Sequence, residues 1–170
     1  MFSTYTSGIF GPFIGFANDM EALDLKEAAL DLQRSGNFEA ALPLMQQSVA
    51  LREHSHTICL SLSELAELHL DMLQYEEAEK TAGRMLQEAH RYDGPQQRRI
   101  AEEILADVAK EKATGLKWGM TVTLSSLTRA PRWNGSTGVL VGKRRQDGRY
   151  FIDVGSSRLA VLRRCFAPED

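Results

Sequence analysis

The sequence predicts an α+β chain of two units, a short α-solenoid of about five helices followed by a small β-barrel. Three observations predict it. Apolar residues recur at helical spacing up to residue 113, then switch to two-residue alternation after Trp118. Two stretches of the helical part align on one another at an offset of 37 residues. The charge changes sign at the same place: residues 1–114 carry 10 Lys and Arg against 19 Asp and Glu, and residues 115–170 carry 10 against 4. The expected organisation is an irregular aromatic arm over 1–18, a helical repeat unit over 19–114 and a barrel over 115–170. A chain of 170 residues, 43% apolar and 25% charged, has room for two such small globular units.

The arm, MFSTYTSGIFGPFIGFAND, holds Phe2, Tyr5, Phe10, Phe13 and Phe16 and has no Lys or Arg before Lys26. A secretory signal wants a basic start and a long apolar core, and a transit peptide wants arginines; the segment fits neither. Gly8, Gly11, Pro12 and Gly15 predict irregular backbone. Two readings of the aromatics stay open: packing on their own protein, or docking on a partner or a membrane surface.

Five helices follow, over 20–35, 38–53, 58–72, 75–91 and 95–113. The first stops at Ser35-Gly36, and Pro43 falls early enough in the second to be tolerated. The polar run Arg52–His56 is a turn, and Thr57 is placed to cap the third helix. Asp93-Gly94-Pro95 breaks the fourth from the fifth, with proline at the first turn. Ile100, Ile104, Leu105 and Val108 give the fifth a narrow apolar stripe, as a capping helix needs.

In the repeat, Phe38 matches Tyr75 and Ala41 matches Ala78. Ala28, Ala29, Ala41, Ala66 and Ala78 allow close helix approach, and the aromatic opening each second helix plugs the gap beside the turn. Gly36-x-Phe38-x-x-Ala41 resembles the turn of the tetratricopeptide (TPR) repeat family, whose helix pairs span 34 residues. The second copy has Leu73 where the family has glycine. The resemblance implies a groove for a peptide or a protein surface, lined by the first helix of each pair: Lys26, Leu30, Gln33, Arg34, Ser63, Glu67 and Leu70. Lys26 is followed one turn later by Leu30 rather than asparagine, so the family's carboxylate clamp is not expected.

Beyond Trp118, strands are predicted at 120–124, 139–141, 149–154 and 158–162, divided by turns at Asn134-Gly135, Asp147-Gly148 and Gly155–Ser157. Strands so short and numerous suit a small closed barrel. The order Leu124, Leu127, Ala130-Pro131, Asn134-Gly135, Thr137-Gly138-Val139, Gly148-Arg149-Tyr150 is similar to the SH3-like barrel appended to ankyrin-repeat and MYND-finger proteins of unicellular algae. Trp133 departs from the leucine common there. That resemblance implies protein interaction and no catalysis.

The barrel's basic residues are Arg129, Arg132, Lys143, Arg144, Arg145, Arg149, Arg163 and Arg164. Three readings remain open for them: a solvated face that also pairs with the acidic helices, contact with an acidic protein, or contact with RNA. Tyr150 and Trp133 are the aromatic candidates for stacking on bases.

No catalytic constellation is recognisable. His54 and His56 lack a third ligand, Cys59 sits among apolar residues, Cys165 has no CxxC partner, and no phosphate-binding glycine loop is present. The expectation is a non-enzymatic interaction or scaffold module, an accessory subunit of a larger assembly, with no metal and no cofactor. Two cysteines without a disulfide pattern predict a reducing intracellular compartment, cytoplasmic or organellar. No apolar run reaches the length that spans a bilayer.

Overall fold

The computed structural model describes residues 11–92, 94–144 and 146–169, with side chains described from residue 17 onward. Five helices and five strands lie among them: α1 (Gly11–Ser35), α2 (Phe38–Leu51), α3 (Ile58–Asp71), α4 (Tyr75–Arg91), α5 (Pro95–Lys112), then β1 (Thr121–Leu124), β2 (Thr137–Arg144), β3 (Arg149–Val154), β4 (Ser157–Leu162) and β5 (Phe166–Pro168).

The helices follow the periodicity, with one correction. The irregular reading of residues 11–18 is wrong, because α1 begins at Gly11. Pro12 lies in the first turn, where its missing N–H removes no helical bond. Gly15 costs the helix only about 1 kcal/mol. Phe2, Tyr5 and Phe10 lie outside the described residues, and Phe13 and Phe16 are described as helical backbone only.

The α1–α2 and α3–α4 turns are built alike. At the first, Gly36 N–H donates to Gln33 O at 2.9 Å and Asn37 N–H to Leu32 O at 2.9 Å, with Gly36 at φ +81°. This is a Schellman turn, whose C′ residue must be left-handed. Thirty-seven residues on, Leu73 N–H donates to Leu70 O at 3.0 Å and Gln74 N–H to His69 O at 2.9 Å, with Leu73 at φ 58°. Leucine there carries a left-handed cost of about 1–2 kcal/mol, held in place by near-complete burial at 3% exposure.

Consecutive helices pack on one another, and α3 also touches α5. Ala29, Ala41, Ala66 and Ala78 are fully buried, as close approach requires. Ala28 is exposed and takes no part in it. On α5 the buried stripe is Ala101, Ile104 and Val108, with Ile100 and Leu105 at its margin.

The 52–57 turn is more than a tolerated insertion. Arg52, 4% exposed, reaches Asp19 Oδ1 at 3.3 Å and Asp19 O at 3.1 Å, and donates to Ser61 Oγ at 2.7 Å. Ser48 Oγ donates to Ala22 O at 2.7 Å. Thr57 does precede α3, but its hydroxyl donates to Asp19 Oδ1 at 2.7 Å instead of capping the helix. Burial alone would raise the Asp19 carboxyl; hydrogen bonds from Thr57, Arg52 and Ser55 and the Arg52 charge outweigh it and hold Asp19 below the ordinary carboxylate range.

The strands form one antiparallel sheet in the order β4-β3-β2-β1-β5. It is not closed: β4 and β5 are its edges, so the ladder is an open sheet rather than the closed barrel the strand spacing suggests. A bulge interrupts the β2–β3 register between Leu140 and Gly142. At that bulge β2 comes against the helices. A Cβ on Gly142 would collide with the Phe38 ring and lie 2.8 Å from Asp71 O.

The two units share one continuous apolar core. Phe38, at the start of α2, meets Phe151 edge to face at 5.6 Å between ring centroids and Trp118 at 6.4 Å. A Cβ on Gly36 would sit 2.7 Å from the Phe151 ring, so this turn needs glycine for space as well as for φ. Ionic contacts frame the junction. Arg158 holds Asp153 at 2.7 Å and Glu39 at 3.1 Å and donates to Gly36 O. Lys143 meets Glu111 at 2.6 Å. The switch of chain type near residue 115 is where the periodicity put it, but the parts it separates are packed together.

Candidate functional site

A groove of about 490 Å³ combines the two units, lined by residues of α1, α3 and the β2–β3 hairpin. From α1 come Leu30, Gln33 and Arg34, from α3 Glu64, Glu67 and Asp71, and from the hairpin Arg144 and Gln146. Helical spacing places these side chains: Leu30, Gln33 and Arg34 at steps of three and four mark one face of α1, and Glu64, Glu67 and Asp71 do the same on α3.

Gln33 ties the two faces together, its Nε2 donating to Asp71 Oδ2 at 2.7 Å. Its Oε1 is buried and has no hydrogen-bond partner among the described residues. Arg34 is exposed and pairs with Asp31 at 2.7 Å on its own helix. Arg144 pairs with Asp147 at 2.6 Å and lies over the Phe151 ring at 5.7 Å.

Of the residues expected in this groove, Leu30, Gln33, Arg34 and Glu67 are in it. Lys26 stands beside it, 3.9 Å from Glu64 across α1 and α3. Ser63 donates to Leu60 O at 3.0 Å, one turn back on its own helix, and does not line the groove. Leu70 is a correction: at 2% exposure it belongs to the core, because it leads into the buried Leu73 turn while Asp71 takes the groove position. Arg144 was legible only as a barrel-surface residue and Gln146 carried no signal, since nothing local brings a hairpin to the side of α1.

The basic residues divide into two sets. Lys143, Arg144 and Arg149 are committed within the chain: Lys143 to Glu111 at 2.6 Å, Arg144 to Asp147, and Arg149 to Asp147 at 3.3 Å. Arg158, absent from the expected set, is the most heavily engaged. The predicted turn at Gly155–Ser157 would set Val154 opposite Arg158; in the structure Val154 pairs with Ser157, so the turn is one residue shorter and Asp153 comes opposite Arg158. Arg129, Arg132, Arg163 and Arg164 are exposed. Arg145 lies outside the described residues.

Both cysteines are buried free thiols, and burial pushes the Cys59 thiol above its ordinary range. Among the described residues no group of three or more His, Cys, Asp or Glu is arranged to hold a metal. No helix among them is long and apolar enough to cross a membrane. No protein-family model matches the chain, and neither a curated protein nor a solved structure matches it.

Proposed function

We propose that this chain is a non-catalytic interaction module, TPR-like in its helical part and SH3-like in its sheet, that takes an extended segment of a protein partner in the α1–α3–hairpin groove. The observation that carries this reading is the convergence of Leu30, Gln33, Arg34 and Glu67 on one cavity, closed on one side by Arg144 and Gln146. The polar lining suits a peptide that keeps its backbone groups satisfied. The same reading makes the chain an accessory subunit, with the aromatic residues before Gly11 as a second anchor.

The test is a quantitative affinity pull-down from the chain's native cells with three baits: the full chain, the chain lacking residues 1–10, and an Arg34→Glu/Gln146→Trp variant. Arg34 and Gln146 are exposed, so the variant blocks the groove without touching the core. A partner enriched by the full chain and lost from the groove variant supports the reading. Equal recovery of every partner by the groove variant refutes it.

A further inference from the structure

The C-terminal unit carries an excess of positive charge, and the structure shows where it goes unneutralised. Lys143, Arg144, Arg149 and Arg158 each have a carboxylate within ion-pair distance. Arg129, Arg132, Arg163 and Arg164 are exposed and have no ion pair among the described residues.

The topology brings these four to one end of the sheet. Leu124 at the end of β1 pairs with Phe166 at the start of β5, and Ser125 N–H donates to Cys165 O at 2.8 Å. The 125–134 loop, bearing Arg129 and Arg132, therefore lies alongside the Arg163–Cys165 turn. The loop is fixed by its own chemistry: Asn134 Oδ1 accepts from Leu127 N–H at 2.8 Å, and Pro131–Trp133 forms a 3-10 turn. Two of the guanidiniums rest on aromatic faces, Arg132 over Trp133 at 5.4 Å and Arg163 over Phe166 at 4.9 Å. Arg163 also donates to Phe166 O at 2.9 Å. Trp133 is partly buried, packed against the core with the Arg132 guanidinium over its ring. The carboxylate just after this edge strand, Glu169, accepts from the hydroxyls of Thr123 and Thr137.

We infer that this end of the sheet binds single-stranded nucleic acid, phosphates on Arg129, Arg132, Arg163 and Arg164 and a base on the exposed part of Trp133. Guanidiniums suit the task because their planar fork meets phosphate oxygens in pairs. The partly exposed indole beside Arg132 decides between a nucleic acid and an acidic peptide: unpaired bases stack on aromatic and guanidinium planes, whereas a run of carboxylates gains nothing from an indole. The net negative charge of residues 1–114 repels a polyanion, so the strand is confined to the sheet end. This surface is separate from the groove, and either reading survives failure of the other.

The experiment is fluorescence anisotropy on the full chain with labelled 12-nucleotide RNA and DNA of one mixed sequence, a 12-residue oligoglutamate and a duplex, from 20 to 200 mM NaCl. Expected is single-strand binding whose log K falls with log salt at a slope of about −3, the value for four phosphates on a single strand. Arg132→Gln/Arg164→Gln halves the slope. Trp133→Leu weakens binding at least fivefold and leaves the slope unchanged. The RNA and DNA arms tell which sugar is preferred. Unchanged circular dichroism shows that these variants fold. No binding at 20 mM NaCl, equal affinity for oligoglutamate, equal affinity for duplex, or indifference to Trp133→Leu each overturns the inference.

Discussion

Leu73 is the residue where local preference and tertiary packing conflict most directly. Its left-handed backbone, φ 58°, is what the turn demands, and its burial at 3% exposure is what the core demands. Glycine at position 73 would relieve the backbone and lose the packing; alanine would lose the packing with no relief. Truncating a buried leucine costs about 2–5 kcal/mol, and the left-handed cost is about 1–2 kcal/mol. Leu73→Ala is therefore expected to destabilise more than Leu73→Gly, by about 1 kcal/mol, reversing the usual order of the two residues. Urea unfolding of both variants checks it, and an alanine variant more stable than the glycine variant contradicts the strain. At Gly36 the demand for space adds to the demand for φ, since the Phe151 ring stands where a Cβ would go. Gly36→Ala is expected to destabilise by more than the backbone cost alone, and Phe151→Leu in the same chain to restore part of the loss.

At the scale of elements, periodicity made the helices and strands readable, and the turn residues made most of their ends readable. Gly36 and the Asn134-Gly135, Asp147-Gly148 and Gly155 turns are local signals, and local signals survive in a sequence. The docking of one element on another is not local. Phe38 reads as a plug for its own turn, yet its ring also faces Phe151 and Trp118, more than 70 residues away. Leu70 reads as a groove residue because register along α3 sets it near Glu67, and only the packing of that turn reveals it as core. The groove was legible on its helical side and invisible on its hairpin side for the same reason. The contact that fixes α2 to the sheet has a pH signature. The hydrogen bond from Arg158, against the opposing effect of burial, holds the Glu39 carboxyl below its ordinary range. A depressed carboxyl stabilises the folded chain above the pKa of the unfolded state and loses that contribution as pH falls through the folded value. Glu39 is largely exposed, so the contribution is at most about 1 kcal/mol. Glu39→Gln is expected to be less stable than the parent at pH 7, with the difference shrinking as pH falls toward 3, by denaturant titration at both. A constant difference across that range would show that Glu39 acts through packing and not through its charge.

For the whole molecule, the open sheet and the five-helix part explain each other. A stack of helices has to bury its apolar face against another layer. Here the end of the α1–α2 turn is covered by β2 and β3, through Phe38, Phe151 and the close approach at Gly142. The sheet in turn gains a packed face without closing on itself, because the helices cover what a closed barrel would fold inward. Such mutual cover predicts that the chain unfolds as one unit although its sequence reads as two. Trp118 lies at the junction and reports its separation, while the ellipticity at 222 nm reports the helices. Urea titrations followed by both probes are expected to give one midpoint, as two-state unfolding requires. Phe38→Ala, which empties the centre of the junction, is expected to move both midpoints down together by an amount equivalent to about 3–5 kcal/mol. An early change in tryptophan fluorescence, followed by helix loss at the unperturbed midpoint, would mean that the junction opens while the helical unit stands alone. In that case the groove between α1, α3 and the hairpin would form and dissolve with the junction, and partner binding there would raise the fluorescence midpoint alone.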